Sequence, residues 1–393
     1  MPVAPLELLD RVQTLLRQDQ AAEAAALLLQ LVAQHPDSIE AWFALGQAQG
    51  MLERHAEAES AFRHAARLRP GMHEAHFNLA LSLAYQRKLV ESIGSFVAAR
   101  RLNANIPGLG QTLLNTLLEI LQDEHHADAG SNGAFPALAG MPLVSVIIPT
   151  QNRVHLLRDA LQSVSRQTYP NWEVIVINDG GEDISTAVTH LPGNLAARFN
   201  CLRSESPRGQ ASARNTGVDI ARGEVIAFLD DDDLFKPDHL EQLVSGLRAS
   251  GAALAYTRAE AVWEHIISGR RVDIRRGPAA PWFRYSRALL LARNAMPLQN
   301  CAVRRECFEK YGKFDSSLRC AEDWDLLLRF SAHVDFHQVN AMTTEIHVRD
   351  EVVDSVSKRN RLKPVCEMFY RRFPADGHAL VELARELYLE ALP

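Results

Sequence analysis

The chain has 393 residues, 47% hydrophobic and 23% charged, with a formal net charge of −6. That is globular composition with room for two or three domains, and it lacks the basic balance expected of a nucleic-acid binder. No stretch approaches the roughly 18 apolar residues of a membrane span, Met1–Pro5 has no secretion-signal grammar, and five cysteines without CxxC spacing predict reduced thiols in a cytoplasmic protein.

Residues 1–126 read as helix almost throughout, rich in Ala and Leu with few turn signals. Ala41-Trp42-Phe43-Ala44-Leu45-Gly46 recurs 34 residues later as Ala75-His76-Phe77-Asn78-Leu79-Ala80. The same offset pairs Phe62 with Phe96, Ala65 with Ala99 and Leu68 with Leu102. An earlier, degraded copy ends at Pro36, 34 residues before Pro70, with Ala24 at the place of Ala58. The Trp42, Leu45-Gly46, Ala58, Phe62 and Pro70 positions resemble the tetratricopeptide repeat. Small residues let two antiparallel helices pack closely, and the proline stops the second helix because it cannot donate a backbone hydrogen bond. Ile106–His126 is expected as a capping helix. Such stacks leave a concave face for a peptide or protein partner, or serve as a packing or dimerisation module; both readings stay open.

Residues 127–141 are rich in small residues and read as a linker. The grammar then changes. Strands are expected over Leu143–Pro149, Trp172–Asp179 and Glu224–Asp230, with helices over Val154–Gln167 and Ser212–Arg222. Alternation of this kind predicts a parallel sheet covered on both faces, with ligands beyond the carboxyl ends of its strands. The first strand ends in Pro149-Thr150-Gln151-Asn152-Arg153, the second in Asn178-Asp179-Gly180-Gly181, and the third in four consecutive aspartates, Asp230 to Asp233. On a solvated loop an acidic run is unremarkable. Held at the rigid end of an apolar strand its repulsion needs an offset, and a divalent cation with oxygen ligands supplies one. Further on, Glu322-Asp323-Trp324-Asp325 precedes a helical run. Acids suit the first turn of a helix, and a carboxylate there is also a candidate base for an acceptor hydroxyl.

Four segments, VSVIIPTQNR, INDGGED, ASARNTGVDIARGEVIAFLDDDD and AEDWDLLLR, together resemble the family 2 glycosyltransferases of GT-A fold, over about residues 142–354. The expected fold class is therefore α/β. A GT-A nucleotide-diphospho-sugar transferase domain with a Rossmann-like mixed sheet (142–354) follows an all-α repeat solenoid (1–126) and the linker (127–141), with a helical segment at 355–393. The resemblance implies inverting transfer of a sugar from a nucleotide-diphosphate sugar, a UDP-sugar in first place, to a hydroxyl on a glycan, a lipid-linked glycan or a protein. It implies Thr150, Asn152 and Arg153 at the nucleoside end, Asp179 against the base, and Arg214 and Asp231 in donor binding. Asp230 and Asp232 would hold Mg²⁺ or Mn²⁺, with His347 as a third ligand or phosphate contact and Arg349 as a further diphosphate candidate. Asp323 would be the base, with Glu322 and Asp325 as alternates.

Asn178 stands where the family commonly has an acid, Gly181 where it has Ser, and Gln151 where it has Tyr; these departures bear on base and ribose recognition. Asp233 is expected to hold the sugar or cap a helix near Pro237, Trp324 to be core, and the arginine-rich 265–300 to run over the acceptor side. Two rival readings are a nucleotidyltransferase of related fold and a scaffold with a decayed transferase domain. The expected location is the cytoplasm, or peripheral at the inner membrane.

Overall fold

The computed structural model describes residues 5–123, 135–189, 193–267, 270–279, 284–349 and 362–392. Most of the expected linker, the boundary at 354 and the start of the tail lie outside the described residues. Two compact units are present: Met1–Leu121 with Glu386–Ala391, and Gln122–Arg385 with Leu392–Pro393.

The first unit is built of antiparallel helix pairs: α1 (Pro5–Arg17) with α2 (Ala21–Gln34), α3 (Ile39–Met51) with α4 (His55–Leu68), and α5 (His73–Tyr85) with α6 (Leu89–Leu102). Then comes α7 (Leu109–Leu121), the expected capping helix, shorter at both ends than its apolar pattern suggested. The 34-residue period is visible in the contacts themselves. Trp42 Nε1 donates to Pro36 O at 2.9 Å, and His76 Nε2 lies 3.0 Å from Pro70 O. Phe43 meets Phe62 edge-on, and Phe77 meets Phe96 likewise. The turns between paired helices place Asp19, Glu53 and Arg87 at φ 59°, 57° and 63°, again 34 apart. Left-handed backbone at a helix end is common, yet glycine fills none of these three positions. Gly46 is needed for another reason: a Cβ there would lie 2.6 Å from the Phe62 ring.

The second unit is a nine-stranded sheet, counted among the described residues, with α-helices between its strands. Its strands are β1 (Val144–Thr150), β2 (Trp172–Asn178), β3 (Phe199–Arg203), β4 (Val225–Phe228), β5 (Leu234–Phe235), β6 (Leu254–Ile267), β7 (Arg270–Pro278), β8 (Cys301–Arg304) and β9 (Phe336–Val348). The order is β3-β2-β1-β4-β8-β6-β9-β5, with β7 paired to β6. The first four are parallel, β8 runs antiparallel to both β4 and β6, and β6 and β9 are parallel. Every side chain of β1, β2 and β4 is buried, which explains their continuous β-branched runs. Helices α8 (Val154–Ser165), α9 (Ser185–Val188), α10 (Gly193–Ala196), α11 (Gln210–Ile220), α12 (His239–Ser250), α13 (Arg287–Ala292), α14 (Arg305–Tyr311) and α15 (Glu322–Ser331) connect the strands. The expected combination of helical repeats and a Rossmann-like mixed sheet is therefore the one observed.

Three local differences stand out. β3 escaped the sequence reading because it is an edge strand of mixed exposure with no apolar run. The arginine-rich 265–300 segment holds secondary structure that its sequence did not signal: it begins with the end of β6 and includes β7, which pairs antiparallel to β6. Asp233 does not cap α12, which begins at His239. The expectation for Trp324 holds: it is buried, donates Nε1–H to Leu290 O at 2.8 Å, and stacks on Phe369 of α16 (Leu362–Arg372) at 4.8 Å. The tail ends in α17 (Ala379–Ala391).

Two stability predictions follow from packing. Gly46→Ala forces a methyl into the Phe62 ring and should cost about 1–3 kcal/mol; an unchanged thermal midpoint would show that Phe62 yields freely. His239 is fully buried, with Nδ1 2.7 Å from Thr343 Oγ1, and burial pushes its pKa down to about 3. The unfolded chain takes up that proton near pH 6.5, the folded chain only near 3. Its contribution to stability is thus complete above about pH 6.5 and shrinks as pH falls from there. Denaturant titrations across this range should be less acid-sensitive for His239→Gln than for the natural chain.

Candidate functional site

The carboxyl ends of β1, β2 and β4 share one edge because the three strands are parallel neighbours. The acidic loop leaves β4 there, and it splits its four carboxylates into two kinds. Asp231 and Asp233 are each 4% exposed. Asp231 accepts from Thr150 Oγ1 at 2.7 Å and Arg153 Nη1 at 3.2 Å. Asp233 accepts from Gln299 Nε2 at 2.7 Å and the His347 backbone N–H at 2.9 Å. Burial, reinforced by the charge of Asp232, pushes Asp231 up to about 7 and Asp233 well above the usual carboxylate range.

Asp230 and Asp232 are the outward pair, with side chains 28% and 23% exposed. Asp230 Oδ1 accepts from Arg214 Nη2 at 2.7 Å and Gln210 Nε2 at 3.1 Å. Asp232 Oδ2 accepts from Arg153 Nη1 at 3.0 Å and Arg349 Nη1 at 3.2 Å. The offset that the sequence reading assigned to a cation is thus supplied in large part by three arginines and by the raised carboxyls of the inner pair.

A divalent cation still fits. Among the described residues Asp230 Oδ2 and Asp232 Oδ1 carry no hydrogen bond, so each carboxylate keeps one hard oxygen donor. Two carboxylates suit Mg²⁺ or Mn²⁺, which complete their shell with water and phosphate. No group of three His, Cys, Asp or Glu ligands forms among the described residues. His347 accordingly does not join Asp230 and Asp232 in a ligand group. Its Nδ1 lies 2.7 Å from Glu264 and its Nε2 3.6 Å from Glu345. Burial pulls this imidazole down, but the Glu264 hydrogen bond and the nearby Glu345 carboxylate outweigh it and raise its pKa.

The second element of the site is the start of α15, entered through Ala321 at φ 57°. Arg214, 3% exposed, joins it to the acidic loop: Nη1 meets Glu322 Oε1 at 2.5 Å while Nη2 holds Asp230. Arg214 is thus an internal ion-pair strut between the acidic loop and the start of α15. Glu322 is buried in that pair. Asp323 is partly exposed, and Asn294 Nδ2 donates to its Oδ2 at 3.2 Å. Burial raises the pKa of Glu322 and of Asp323 against the pull of Arg214. Asp325, the other alternate, is fully buried and pairs with Arg329 at 2.8 Å and Arg372 at 3.3 Å.

At the β2 end, Asp179 is 6% exposed and accepts from the backbone N–H groups of Arg208 and Gly209 at 2.7–3.0 Å. Its carboxylate pins the loop ahead of α11. Asn152, at φ 57°, accepts from Glu182 N at 2.8 Å. Thr150, Arg153 and Asp231 thus belong to one hydrogen-bonded group with Asp232, while Asn152 and Asp179 brace the adjoining loops. Glu264 was not anticipated, and Arg271, Asn294 and Gln299 were given no individual role within the 265–300 segment. They reach the site from β6, β7 and the segment before β8, and no local motif marks them.

A sheet edge of this kind, beside an acidic loop and a carboxylate at a helix start, belongs to the nucleotide-sugar transferases, and comparison with known proteins agrees. The model of the family described as glycosyl transferase family 2 matches residues 145–312, and a tetratricopeptide-repeat model matches 9–73 and 52–105. A Bacillus subtilis protein named uncharacterized glycosyltransferase YwdF is 32% identical over 186 residues, covering 47% of this chain and 67% of that protein. An Escherichia coli protein named UDP-Glc:alpha-D-GlcNAc-diphosphoundecaprenol beta-1,3-glucosyltransferase WfgD is 35% identical over 130 residues, 33% of this chain and 51% of that protein. The chain thus spans about half to two thirds of these relatives. Among solved structures, a Pyrobaculum calidifontis mannosyltransferase in complex with GDP-Man and Mn²⁺ is 17% identical, with TM-score 0.48, covering 77% of this chain and 82% of that one. The chain belongs to glycosyltransferase family 2, with tetratricopeptide repeats in its N-terminal part.

The burial of Asp325 separates it from Asp323 by experiment. Asp325→Asn leaves Arg329 without its counter-charge, while Arg372 keeps Asp315 at 2.9 Å, and should cost about 3 kcal/mol. Asp323→Asn removes no such pair and should leave the unfolding midpoint nearly unchanged. Equal midpoints in the two variants would contradict the structural role of Asp325.

Proposed function

We propose that the protein is an inverting glycosyltransferase that moves a sugar from a UDP-sugar to a hydroxyl of a lipid-diphosphate-linked glycan, with Asp323 as the base. The observation that carries this reading is the Arg214 bridge, which fixes the acidic loop and the start of α15 as one site. Donor and acceptor chemistry therefore meet at a single place. The printed name of the WfgD relative supports a UDP donor and a diphosphoundecaprenol-linked acceptor.

Asp230 and Asp232 would hold Mg²⁺ or Mn²⁺, which supplies positive charge to the leaving nucleoside diphosphate. Arg153 and Arg349, already at Asp232, provide guanidinium donors for the same diphosphate. Thr150 and Asp231 hold Arg153 in place, and the Asn152 and Asp179 loops frame the nucleoside end. Asp323 takes the proton of the acceptor hydroxyl as it attacks the anomeric carbon. Burial makes this carboxylate a stronger base than one in water, and the Asn294 amide orients it. Attack opposite the leaving group inverts the anomeric centre. The repeat unit would engage a protein partner or present the acceptor. No helix of the described residues is long and apolar enough to cross a membrane, so a lipid-linked acceptor would be met at the membrane surface.

Family membership displaces the nucleotidyltransferase reading. The scaffold reading is opposed by the retained Asp230, Asp232 and Asp323. Asp323→Asn should lower transfer about 10²–10⁴-fold while nucleotide affinity holds. Asp232→Asn should weaken Mn²⁺-dependent binding of UDP as well. Product chromatography and titration calorimetry measure both. Undiminished transfer by Asp323→Asn would sink the base assignment.

A further inference from the structure

Behind the acidic loop lies a buried carboxylate that the reaction as described does not use. Glu264 sits on β6, and its side chain has no exposed surface. Two guanidinium groups and an imidazole converge on it. His347 Nδ1 lies 2.7 Å away, Arg349 Nε donates at 2.7 Å, and Arg271 Nη1 donates at 3.4 Å. The two arginines do not end there. Arg349 Nη1 reaches Asp232 Oδ2 at 3.2 Å, and its Nη2 reaches Asp232 O at 3.4 Å. Arg271 Nη1 donates to the same carbonyl at 3.0 Å, while its Nε is held by Asp159 Oδ2 at 2.9 Å. Arg271 Nη2 is buried and has no hydrogen-bond partner.

The chain reaches this arrangement through topology. β6 and β9 are parallel neighbours, with Val262 opposite His347 and Trp263 opposite Val348. Glu264 therefore lies alongside the end of β9, where Arg349 emerges. β7 pairs antiparallel to β6 with Arg271 opposite Ile266, which returns Arg271 to the same point. A carboxylate buried this deeply costs free energy unless its partners satisfy it, and hydrophobic residues would stabilise the fold as well. What hydrophobic residues could not do is fix two guanidiniums in orientation. Arginine's planar fork loses less entropy on binding phosphate when its stem is already fixed.

We infer that Glu264 is a positioning residue of the transfer site: it holds Arg349 and Arg271 against Asp232 so that their remaining donors meet the donor diphosphate. The inference rests on the nucleotide-sugar reading above. Glu264 touches no substrate in this account and acts through the two arginines. It makes the β6–β7 hairpin part of the donor site.

The test uses the full-length chain in Mn²⁺ buffer with UDP, GDP and the matching monophosphates as calorimetric probes, together with donor kinetics. Glu264→Gln keeps the shape and removes the charge. It should weaken binding of the preferred diphosphate and raise the donor KM by about tenfold or more, as loss of a supporting contact does. The kcat should change far less, and monophosphate affinity should hold. Adding Glu264→Gln to the Arg349→Gln, Arg271→Gln double variant should make it no worse, because Glu264 acts through those two arginines. Should Glu264→Gln fail to fold, Arg271→Gln tests the same step from the rim and should show the same selective loss of diphosphate affinity. Unaltered diphosphate affinity, or an equal fall in kcat, diphosphate and monophosphate binding, would overturn the inference. Failure of the natural chain to bind any of these nucleotides would overturn the donor reading itself, a distinguishable result.

Discussion

The catalytic unit depends on one buried guanidinium. Arg214 is almost without solvent contact, and its two terminal nitrogens hold Asp230 on the loop after β4 and Glu322 at the start of α15. The two segments are far apart in sequence. Burying a charge costs several kcal/mol, and the cost is offset only when the partners are close and correctly oriented. Burial works against the charged form of Arg214, and Asp230 and Glu322 restore it. Because neither carboxylate can move without stranding the arginine, the distance between the acidic loop and Asp323 is fixed by the fold. The proposed mechanism, which brings a leaving group and the Asp323 base to one sugar, would draw on that rigidity.

The same economy governs the four aspartates. Four adjacent negative charges would repel strongly, yet the backbone alternates them between interior and rim. The inner pair is buried, and its carboxyls are raised by burial and by their neighbours. The outer pair is neutralised on one oxygen by Arg214, Arg153 and Arg349, and its other oxygen has no hydrogen bond among the described residues. Charge is thus concentrated at two donor atoms. The hairpin of β6 and β7 contributes to this from behind, since Arg271 reaches the Asp232 backbone.

Much of this was legible in the sequence because its signals are local. Buried parallel strands announce themselves as β-branched runs, and strand ends as polar clusters immediately after them. The 34-residue period was visible because each repeat needs the same small and aromatic residues at the same contacts, Gly46 beneath Phe62 among them. What stayed hidden is pairing across the sheet. Nothing near Arg214 says that its partners are an aspartate of the next strand end and a glutamate 108 residues on. Nothing near Glu264 says that β9 will pass beside it, because register between distant strands is set by the whole sheet. β3 lacked a signal for a different reason: an edge strand with polar surface has no apolar pattern to read.

The departures from the family pattern at the β2 end illustrate how such local and distant constraints combine. Asn178 donates from Nδ2 to Glu182 O at 2.7 Å and accepts at Oδ1 from Gly181 N at 2.8 Å. An ionised aspartate has acceptors only and could not make the first bond. Asn178 is therefore a brace for its own loop, suited to both backbone groups at once. Gly181 follows from the neighbouring strand end. A Cβ there would lie 2.8 Å from the backbone nitrogen of Asn152, which itself adopts left-handed backbone at φ 57°. Serine at 181 would push against that nitrogen and against the Asn152 side chain that holds Glu182 N. Asn178, Gly181 and Asn152 therefore form one interlocked solution, with neither an acid at 178 nor a hydroxyl at 181 and two amides bracing the loop in their place.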